Sequence, residues 1–463
     1  MGTDPLSCDV LIVGSGPGGL FAAKRLVERG ISTCIFEKGP ALNKRVCPVL
    51  KNKNLACLKC STCSITQGFG GAGAFSDGKL TYSLEVGGRL AEILSKEDFE
   101  RLSKEVDDTY LEFGAPTKLY GGNANEIEEW KYKAQRVGLV LVPQRLRHMG
   151  TDLGYVVLQN MYNYLKDKGV QFRFMEEVKE LLAENNHIKG IKTSKGTYYA
   201  NRVIVATGRS GSWWLANQLK KLHIPTTPSY VDIGVRVETP QAVFAPLTDV
   251  FYEPKIVYYT KNFDDKVRTF CVNPWGEVVV EFANGVISVN GHSFSMKRSE
   301  NTNFALLVST KFTKPFDAPD AYGVSIAKLA NLLSGNVLVQ RLGDLRKGRR
   351  STDARIKRNL VIPTLKSAVP GDLSFALPYR YITNIVEMLN AMDRLIPGIA
   401  DDSTLLYGVE VKFYSNKVEL NEHLETPVKG LYAIGDGAGL TRGLVQASMS
   451  GYYVAEKIAQ NEI

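Results

Sequence analysis

The first forty residues constrain this chain most, because an apolar run opens there directly into a glycine-rich turn. Cys8–Val13 predicts a buried strand, the segment up to Arg29 predicts a helix, and a second strand ends in Glu37. Glycines in such a turn allow a tight bend, close approach of the backbone to phosphate, and close packing of helix on strand. The helix N-terminus offers N–H groups to the same phosphates. This unit, with an acid eighteen residues after Gly19, predicts an adenine-dinucleotide site.

In this unit, the glycine-rich turn, Glu37 and two basic residues that follow Glu37 are expected to contact the cofactor. Glu37 has the position of a carboxylate that accepts hydrogen bonds from both ribose hydroxyls. The predicted set is Gly14, Ser15, Gly16, Pro17, Gly18, Gly19, Glu37, Lys38 and Arg45.

Two later segments narrow the expected cofactor to FAD. The first is a run of short alternating strands, Val178–Glu184, Ile188–Thr193 and Thr197–Ala200, followed by an apolar strand that ends in Ala206-Thr207-Gly208. The second is an apolar strand that ends in Gly435-Asp436. A meander before a strand ending in Ala-Thr-Gly, with a late strand ending in Gly-Asp, is the organisation of FAD domains rather than of NAD domains. The residues expected at the cofactor are therefore Val178, Ala206, Thr207, Gly208, Gly435 and Asp436.

Asp436 ends its predicted strand, so its carboxylate is expected to hydrogen-bond the ribityl chain. The helix that follows can direct its N-terminal N–H groups at the flavin. Because a helix N-terminus carries partial positive charge, it stabilises the negative charge of reduced flavin at its N1–O2 edge. The residues expected at this contact are Gly443, Leu444, Val445 and Gln446.

Gly68–Leu80 contains five glycines in thirteen residues. Ordering so much glycine costs conformational entropy, so we interpret the stretch as backbone wrapped against the isoalloxazine ring. Its GxGxxG pattern is not preceded by a strand and does not predict a second nucleotide fingerprint. A permanent NAD(P)H domain is therefore not expected, whereas transient hydride delivery by NAD(P)H stays open. The residues expected at the flavin are Gly70, Gly71, Ala72 and Gly73.

Four cysteines, Cys47, Cys57, Cys60 and Cys63, form a C-x9-C-x2-C-x2-C pattern immediately before that loop. Four sulfurs at this density suit a thiolate metal site, either a [4Fe–4S] cluster or Zn²⁺. A redox dithiol that exchanges electrons with the flavin is the second interpretation. Unmetallated structural cysteines are the third, and the sequence leaves all three open.

Candidate catalytic residues lie in two segments. His148, in Arg147–Asp152, is the strongest candidate for proton transfer to a substrate or flavin adduct. Asp77 and Lys79, in the glycine-rich loop, can reach a substrate or pair with each other. His292, in a turn after a predicted strand, is a weaker candidate.

The chain has 463 residues and a formal net charge of +9, and Arg341–Arg358 concentrates eight basic residues against two acidic ones. This segment is interpreted as a solvated loop or as a dock for an anionic substrate, a nicotinamide phosphate, an acidic protein or a membrane surface. No aromatic residues interleave with it, so nucleic-acid binding is not indicated. No apolar run approaches the ~18–20 residues of a membrane span. No secretory signal is visible, so a cytoplasmic location is expected.

The predicted fold class is α/β, with a doubly wound parallel sheet, a β-meander and an inserted α+β substrate domain. The FAD-binding domain is expected to be discontinuous, comprising residues 1–90, 165–215 and 405–463. Residues 91–164 are expected to form a helical segment or cap, and residues 216–404 the substrate domain.

At these residues the chain resembles a large group of bacterial and archaeal FAD-dependent dehydrogenases whose substrates are generally unassigned. The most specific matches are Gly68–Leu80, Arg147–Asp152, Val267–Val279 and Gly430–Gly451. The resemblance implies a glutathione-reductase-like FAD domain with an inserted substrate domain and noncovalently bound FAD. It implies no substrate, and His292 departs from the hydrophobic residue of the group.

The sequence therefore predicts an FAD-dependent oxidoreductase that passes a hydride or electron pair between flavin and an unidentified small-molecule substrate. The alternative is an electron-transfer protein that relays electrons from flavin through a cysteine-bound Fe–S cluster or dithiol to an acidic carrier protein. A third option is a monooxygenase or saturating reductase acting on a lipid-like substrate.

Overall fold

A computed structural model describes residues 8–48, 58, 60–83, 88–283, 285–293, 298–316 and 318–460. Over these residues the helices are α1 (Pro17–Glu28), α2 (Lys96–Glu112), α3 (Ala124–Arg136), α4 (Gly150–Asp167), α5 (Ser212–Lys221), α6 (Gln241–Phe251), α7 (Pro319–Ser334), α8 (Leu342–Arg346), α9 (Asp353–Lys357), α10 (Tyr379–Asp393) and α11 (Leu444–Gln460).

The strands of the same residues are β1 (Val10–Val13), β2 (Thr33–Glu37), β3 (Lys79–Tyr82), β4 (Val140–Val142), β5 (Arg145–His148), β6 (Gln171–Phe174), β7 (Val178–Glu184), β8 (His187–Thr193), β9 (Thr197–Tyr199), β10 (Val203–Val205), β11 (Thr226–Thr227), β12 (Val231–Pro240), β13 (Lys255–Tyr259), β14 (Lys266–Asn273), β15 (Glu277–Ala283), β16 (Val286–His292), β17 (Asn301–Thr310), β18 (Leu338–Arg341), β19 (Val369–Pro370), β20 (Leu405–Phe413), β21 (Lys417–Val418) and β22 (Leu431–Ala433).

The chain divides into two compact units. The first comprises Met1–Lys118, Arg147–Ser229 and Tyr414–Ile463, and the second comprises Leu119–Leu146 and Tyr230–Phe413. Residues 91–164, expected to form one separate segment, are shared between the two units. The substrate domain was expected to end at residue 404, whereas the second unit continues to the end of β20 because that strand lies in its sheet.

The first unit is built on a five-stranded parallel sheet in the order β22-β10-β1-β2-β6. The four residues of β1 and the five of β2 are all buried, as expected for a parallel sheet covered on both faces. Strands β7, β8 and β9 form the antiparallel meander. The predicted α/β fold, with its parallel sheet and meander, is confirmed.

Helix α1 begins directly after the opening turn, with Pro17 in its first turn, where the missing N–H costs nothing. Gly19 lies where a Cβ atom would come 2.1 Å from the carbonyl oxygen of Gly14, so only glycine fits. Helix α11 packs on α1 equally closely, since a Cβ on Gly451 would lie 2.2 Å from the Gly18 carbonyl oxygen. These contacts fix the helix start against the end of β1.

The second unit contains an eight-stranded sheet in the order β19-β18-β20-β12-β17-β14-β13-β4. Alternate residues of β12, from Val231 to Val237, join a core formed with apolar residues of α6, α7 and α10. The hairpin β15–β16 lies on the opposite face, where the Ser288 hydroxyl donates to the Val409 carbonyl at 3.2 Å. Helices on one face and a hairpin on the other therefore cover the sheet on both sides.

Candidate cofactor site and active site

The carboxyl ends of four parallel strands define one edge of the first unit's sheet, here called the carboxyl edge. Gly14 follows β1, Glu37 ends β2, Gly208 closely follows β10, and Gly435 closely follows β22. Because the strands are parallel, these residues of distant chain segments share that edge. Such an edge is where α/β sheets bind ligands.

Several glycines at this edge and its neighbouring loops face open space. A Cβ atom built on Gly16, Gly208, Gly435 or Gly443 would meet no heavy atom within 4 Å. The last three also have positive φ angles, of 60°, 73° and 93°, which L side chains rarely adopt. Each position therefore presents bare backbone to the space beside it.

Glu37 is buried, and its carboxylate accepts hydrogen bonds from N–H groups of three chain segments and from the Ser15 hydroxyl. Oε2 accepts hydrogen bonds from the Ser15 N–H at 3.0 Å and the Ser15 hydroxyl at 2.8 Å. Oε1 accepts from the N–H groups of Gly39 at 2.8 Å and Gly68 at 3.0 Å. The predicted ribose-binding acid thus joins the opening turn to the start of the glycine-rich loop.

The glycine-rich loop packs against both the opening turn and the start of α11. The Gly70 N–H donates to the Ser15 carbonyl at 2.8 Å, and a Cβ on Gly71 would lie 3.1 Å from the Gly16 Cα. A Cβ on Gly73 would lie 2.7 Å from a methyl carbon of Leu444. The three predicted cofactor segments therefore converge.

Three other predicted cofactor residues, Lys38, Arg45 and Val178, make contacts with other parts of the protein. Lys38 is partly exposed and its ammonium lies 2.9 Å from a carboxylate oxygen of Glu177. Arg45 is buried and donates to backbone carbonyls of residues 64–71. Val178 is buried at the start of the meander, where it pairs with Thr193.

Asp436 begins a short 3₁₀ turn at the end of β22. Its Oδ1 accepts a hydrogen bond from the Thr441 hydroxyl at 2.8 Å, and its Oδ2 lies 3.7 Å from Arg209 Nε. Burial raises the pKa of Asp436, although Arg209, the Thr441 hydroxyl and the Gly443 N–H oppose this shift. The carboxylate is therefore held in place for a contact beside α11.

The residues at the carboxyl edge fit FAD. The glycines leave backbone accessible to a pyrophosphate, and the start of α1 supplies N–H groups to an anion. The Thr207 hydroxyl oxygen is buried and has no hydrogen-bond partner within the described part of the chain. An extended polar ligand along this edge would meet donors and acceptors at each segment.

His148, Asp77 and Lys79 are brought together in the first unit. Lys79 Nζ lies 2.9 Å from Asp77 Oδ2. The N–H groups of Met149 and Gly150 donate to the carbonyls of Gly78 and Asp77, which ties the histidine segment to the loop. Burial lowers the pKa of His148 to about 4, with Lys79 assisting and Asp77 opposing the shift. His148 is consequently neutral at physiological pH.

An ion pair between Arg147, the residue before His148, and Asp107 was not predicted from the sequence. Arg147 Nε and Nη2 donate to the two carboxylate oxygens of Asp107 at 2.7 and 2.8 Å, and the Tyr82 hydroxyl donates to the same group at 2.5 Å. Burial raises the pKa of Asp107, but these hydrogen bonds outweigh it and leave the pKa below its usual value. Forty residues separate Asp107 from Arg147, and no local pattern in the sequence signals their contact.

Among the four clustered cysteines, Cys47, Cys60 and Cys63 lie in the described part of the chain and form no disulfide there, whereas Cys57 lies outside it. Over the described residues no three His, Cys, Asp or Glu side chains are arranged to hold a metal ion. The metal site, the redox dithiol and the electron relay that depends on them stay predictions.

One face of β12 carries buried charges that sequence reasoning missed. Asp232, Arg236 and Glu238 are fully buried on the face opposite the apolar core. Arg236 Nε lies 3.4 Å from a Glu410 carboxylate oxygen, whose other oxygen lies 3.1 Å from Lys412 Nζ. The signal was present as the strict alternation VDIGVRVE, which is typical of a strand with one polar face.

Asp232 and Arg236 have charged partners, whereas Glu238 accepts hydrogen bonds from neutral groups and burial raises its pKa. Lys412 Nζ also lies 3.3 Å from a Glu281 oxygen, and Arg268 lies 2.5 Å from Asp232. Burial lowers the pKa of Lys412, but Glu410 and Glu281 outweigh it, so the pKa stays above its ordinary value and the ammonium stays charged. Hairpin β15–β16 covers the set, since a Cβ on Gly291 would lie 2.6 Å from Arg236 Nη2.

The basic segment Arg341–Arg358 surrounds a buried acid instead of forming one exposed patch. Asp344 is fully buried, and its oxygens accept hydrogen bonds from Arg349 Nε and the Ser351 hydroxyl, both at 2.8 Å. Arg346 and Lys347 lie 3.4 and 3.5 Å from Asp402. Part of the segment's charge is therefore neutralised internally.

Comparison with known proteins gives two matches to family models and a small number of relatives. Residues 7–45 match the family described as FAD binding domain, and residues 231–413 match FAD-dependent protein, C-terminal domain-like. An uncharacterized protein of Clostridium beijerinckii is 27% identical over 480 residues, covering 99% of this chain and 82% of that protein.

Two further similarities are more distant. A D-amino acid dehydrogenase of Neisseria meningitidis is 23% identical over 167 residues, which cover 36% of each chain. The crystal structure of L-proline dehydrogenase from P. horikoshii aligns with a TM-score of 0.42 and 15% identity, covering 99% of this chain and 94% of that one. No described helix is both long enough and apolar enough to cross a lipid bilayer.

Proposed function

We propose that the chain is an FAD-dependent oxidoreductase, which binds FAD along the carboxyl edge and transfers a hydride between the flavin and a small-molecule substrate; its matches to two FAD-related family models support this proposal. The observation that carries this proposal is the convergence of three distant segments on one edge of the parallel sheet. The opening turn, the glycine-rich loop and the start of α11 approach one another within van der Waals distance.

The residues that hold the cofactor follow from this geometry. Gly16 and the N-terminus of α1 receive the pyrophosphate, because the backbone there is bare and its N–H groups are available to an anion. Glu37 receives the adenosine ribose, and Asp436 receives the ribityl chain. When bound, FAD supplies the two-electron acceptor for the reaction.

His148 is the group that we propose for proton transfer. As a neutral imidazole it can accept a proton from a substrate N–H or O–H while the adjacent carbon loses a hydride. The Asp77–Lys79 pair lies beside it and orients polar groups of the substrate. The hydride and the proton thus leave the substrate for different acceptors, which balances the oxidation.

An amino acid is the substrate class to test first. The similarity to a D-amino acid dehydrogenase supports this choice, and such a substrate carries the ammonium N–H that a base beside the flavin would deprotonate. Hydroxy acids and reduced nicotinamides form the comparison panel, because neutral His148 can accept a hydroxyl proton equally well and NAD(P)H can deliver a hydride.

The proposed FAD binding is tested on the purified protein, reconstituted with FAD if needed. A yellow protein with flavin absorbance is expected, and Gly16→Ala combined with Glu37→Gln should abolish it while the far-ultraviolet circular dichroism is retained. A protein that binds no FAD after reconstitution would contradict the proposal.

The proposed transfer is tested by anaerobic mixing of the holoenzyme with D- and L-amino acids, 2-hydroxy acids, NADH and NADPH. Rapid bleaching by one compound identifies the hydride donor. His148→Gln should slow that bleaching by about 10²–10⁴-fold while retaining FAD, the range expected for loss of an acid–base group. His187→Gln, at an exposed histidine, is the matched control.

A further inference from the structure

Arg45 is a buried cation whose hydrogen bonds all go to one short stretch of backbone. Its side chain donates through Nε to the Ser64 carbonyl at 2.9 Å and through Nη2 to the Ile65 carbonyl at 2.8 Å. Nη1 donates to the carbonyls of Phe69 at 2.6 Å and Gly71 at 2.7 Å. All three guanidinium nitrogens are therefore engaged by residues 64–71.

The surroundings of Arg45 are those of a charge fixed inside the protein. Its guanidinium carbon lies 4.8 Å from the centre of the Phe75 ring, and within the described ranges no carboxylate lies at ion-pair distance. Burial lowers the pKa of Arg45 to about 10, although the charge of Glu37 opposes this shift, and the group remains protonated at neutral pH. Four carbonyl groups therefore contact the cation directly, and Glu37 acts on it from beyond ion-pair distance.

Arg45 and Glu37 bind opposite kinds of backbone group in the same loop: Arg45 binds carbonyl oxygens and Glu37 binds an N–H group. Glu37 accepts from the N–H of Gly68, whereas Arg45 donates to the carbonyls of Phe69 and Gly71. Because a peptide unit is planar, a Gly71 carbonyl turned toward Arg45 directs the Ala72 N–H the opposite way. The orientation of the loop peptides therefore depends on both charged side chains.

The part of the loop held by Arg45 is the part that contacts the opening turn. The Gly70 N–H donates a hydrogen bond to the Ser15 carbonyl, and a Cβ atom built on Gly71 would lie 3.1 Å from the Gly16 Cα. Gly68, Gly70 and Gly71 all have positive φ angles, of 115°, 83° and 58°. A stretch so rich in glycine has a large conformational entropy when unrestrained, so it needs fixed partners to stay in one shape.

We propose that Arg45 is a positioning residue, which pre-shapes the glycine-rich loop for the flavin and does not itself bind the cofactor phosphates. This inference rests on the proposed FAD function. It assigns Arg45 a different task from the cofactor contact predicted for it from the sequence. Because Arg45 restrains the loop, less conformational entropy is lost when FAD binds.

The test compares FAD binding by Arg45→Ala, Arg45→Lys and wild type at several salt concentrations. Arg45→Ala should weaken FAD binding by about tenfold and change the flavin absorbance or fluorescence, because the loop that packs on the cofactor is no longer fixed. The salt dependence of binding should equal that of wild type, since no cofactor charge loses a partner. Arg29→Ala, at an exposed arginine, is the matched control.

Chemical rescue separates positioning from general structural damage. Millimolar guanidinium chloride should restore FAD affinity and the flavin spectrum of Arg45→Ala, whereas ammonium chloride at equal ionic strength should not. Arg45→Lys keeps the charge but cannot reach four carbonyls, so it should also bind FAD weakly. If Arg45→Ala does not fold, Arg45→Lys supplies the affinity and salt measurements.

The outcomes distinguish this inference from the proposed function. Wild-type affinity in Arg45→Ala, or in Arg45→Lys where only that variant folds, would overturn the positioning role. A reduced salt dependence in the variant would also overturn it, because that result identifies a direct phosphate contact. If wild type itself binds no FAD, the proposed function fails first, and the loop of the apoprotein is then compared by hydrogen exchange. Equal protection of residues 64–75 in wild type and variant overturns the positioning role.

Discussion

Lys79 Nζ lies 2.9 Å from Asp77 Oδ2, and both side chains are largely buried close to His148. Two opposite charges therefore lie beside a neutral imidazole in the candidate active site. The burial that keeps His148 neutral also makes the stability of the fold sensitive to acid.

The pH dependence of stability should report His148 directly. Its pKa in the folded state is about 4, below its ordinary value of 6.5. Between these pH values the unfolded chain binds a proton that the folded chain does not, so stability falls as pH decreases through this window. His148→Gln should lose less thermal stability than wild type between pH 7 and pH 5. An identical loss in both proteins, with His187→Gln as the control, would contradict the assignment.

Two glycines of the opening turn should respond differently to the same substitution. Gly16→Ala adds a methyl group that meets no atom within 4 Å, so the apoprotein should fold normally but bind FAD more weakly. Gly19→Ala places a methyl group 2.1 Å from the Gly14 carbonyl oxygen and should destabilise the fold by about 1–3 kcal/mol. Urea unfolding and FAD titration of both variants measure the difference. Equal stability of the two apoproteins would refute this reading of the turn.

The buried charges of the second unit should be sensitive to the loss of one partner. Arg236→Met leaves Glu410 with one cation fewer in a dry environment and should cost about 3–5 kcal/mol of unfolding free energy. Lys133→Met, which breaks an exposed pair with Glu129, should cost no more than about 1 kcal/mol. Urea denaturation compares them. A small effect of Arg236→Met would mean that Lys412 alone suffices for Glu410.

Asp344 should limit how readily proteases cleave the basic segment Arg341–Arg358. Replacing it by asparagine removes the negative charge to which Arg349, Arg341 and Arg355 are directed. The segment should then open more often and be cleaved several-fold faster by trypsin at its basic residues. Asp353→Asn, at an exposed acid in the same segment, should be cleaved at the wild-type rate. Unchanged cleavage of Asp344→Asn would show that other contacts hold the segment.

The FAD-binding framework could be predicted because its signals are local. Val10 to Glu37 form one continuous strand–turn–helix–strand unit, and each later segment ends in a recognisable dipeptide or tripeptide. Parallel pairing then places those ends at one edge, without any knowledge of side-chain contacts. The pairing of Asp77 with Lys79 could also be predicted as one of two alternatives, since only Gly78 separates them.

The interaction partners of long side chains could not be predicted in the same way. Arg45 and Lys38 follow Glu37 closely, yet one turns toward backbone carbonyls more than twenty residues away and the other toward Glu177. The contact of Arg147 with Asp107 joins a strand to a helix across forty residues. In β12 the alternation indicated a polar face, but burial of that face depends on a hairpin some fifty residues farther along.

The sharing of Glu410 between Arg236 and Lys412 has a consequence for how this sheet can change over evolutionary time. Substitution of Arg236, Glu410 or Lys412 would leave a buried ionised group with one partner fewer, and substitution of the partly exposed Glu281 would remove the second partner of Lys412. Homologues that keep the sheet are therefore expected to exchange these residues as a group, so that positions 236, 281, 410 and 412 covary across the lineage.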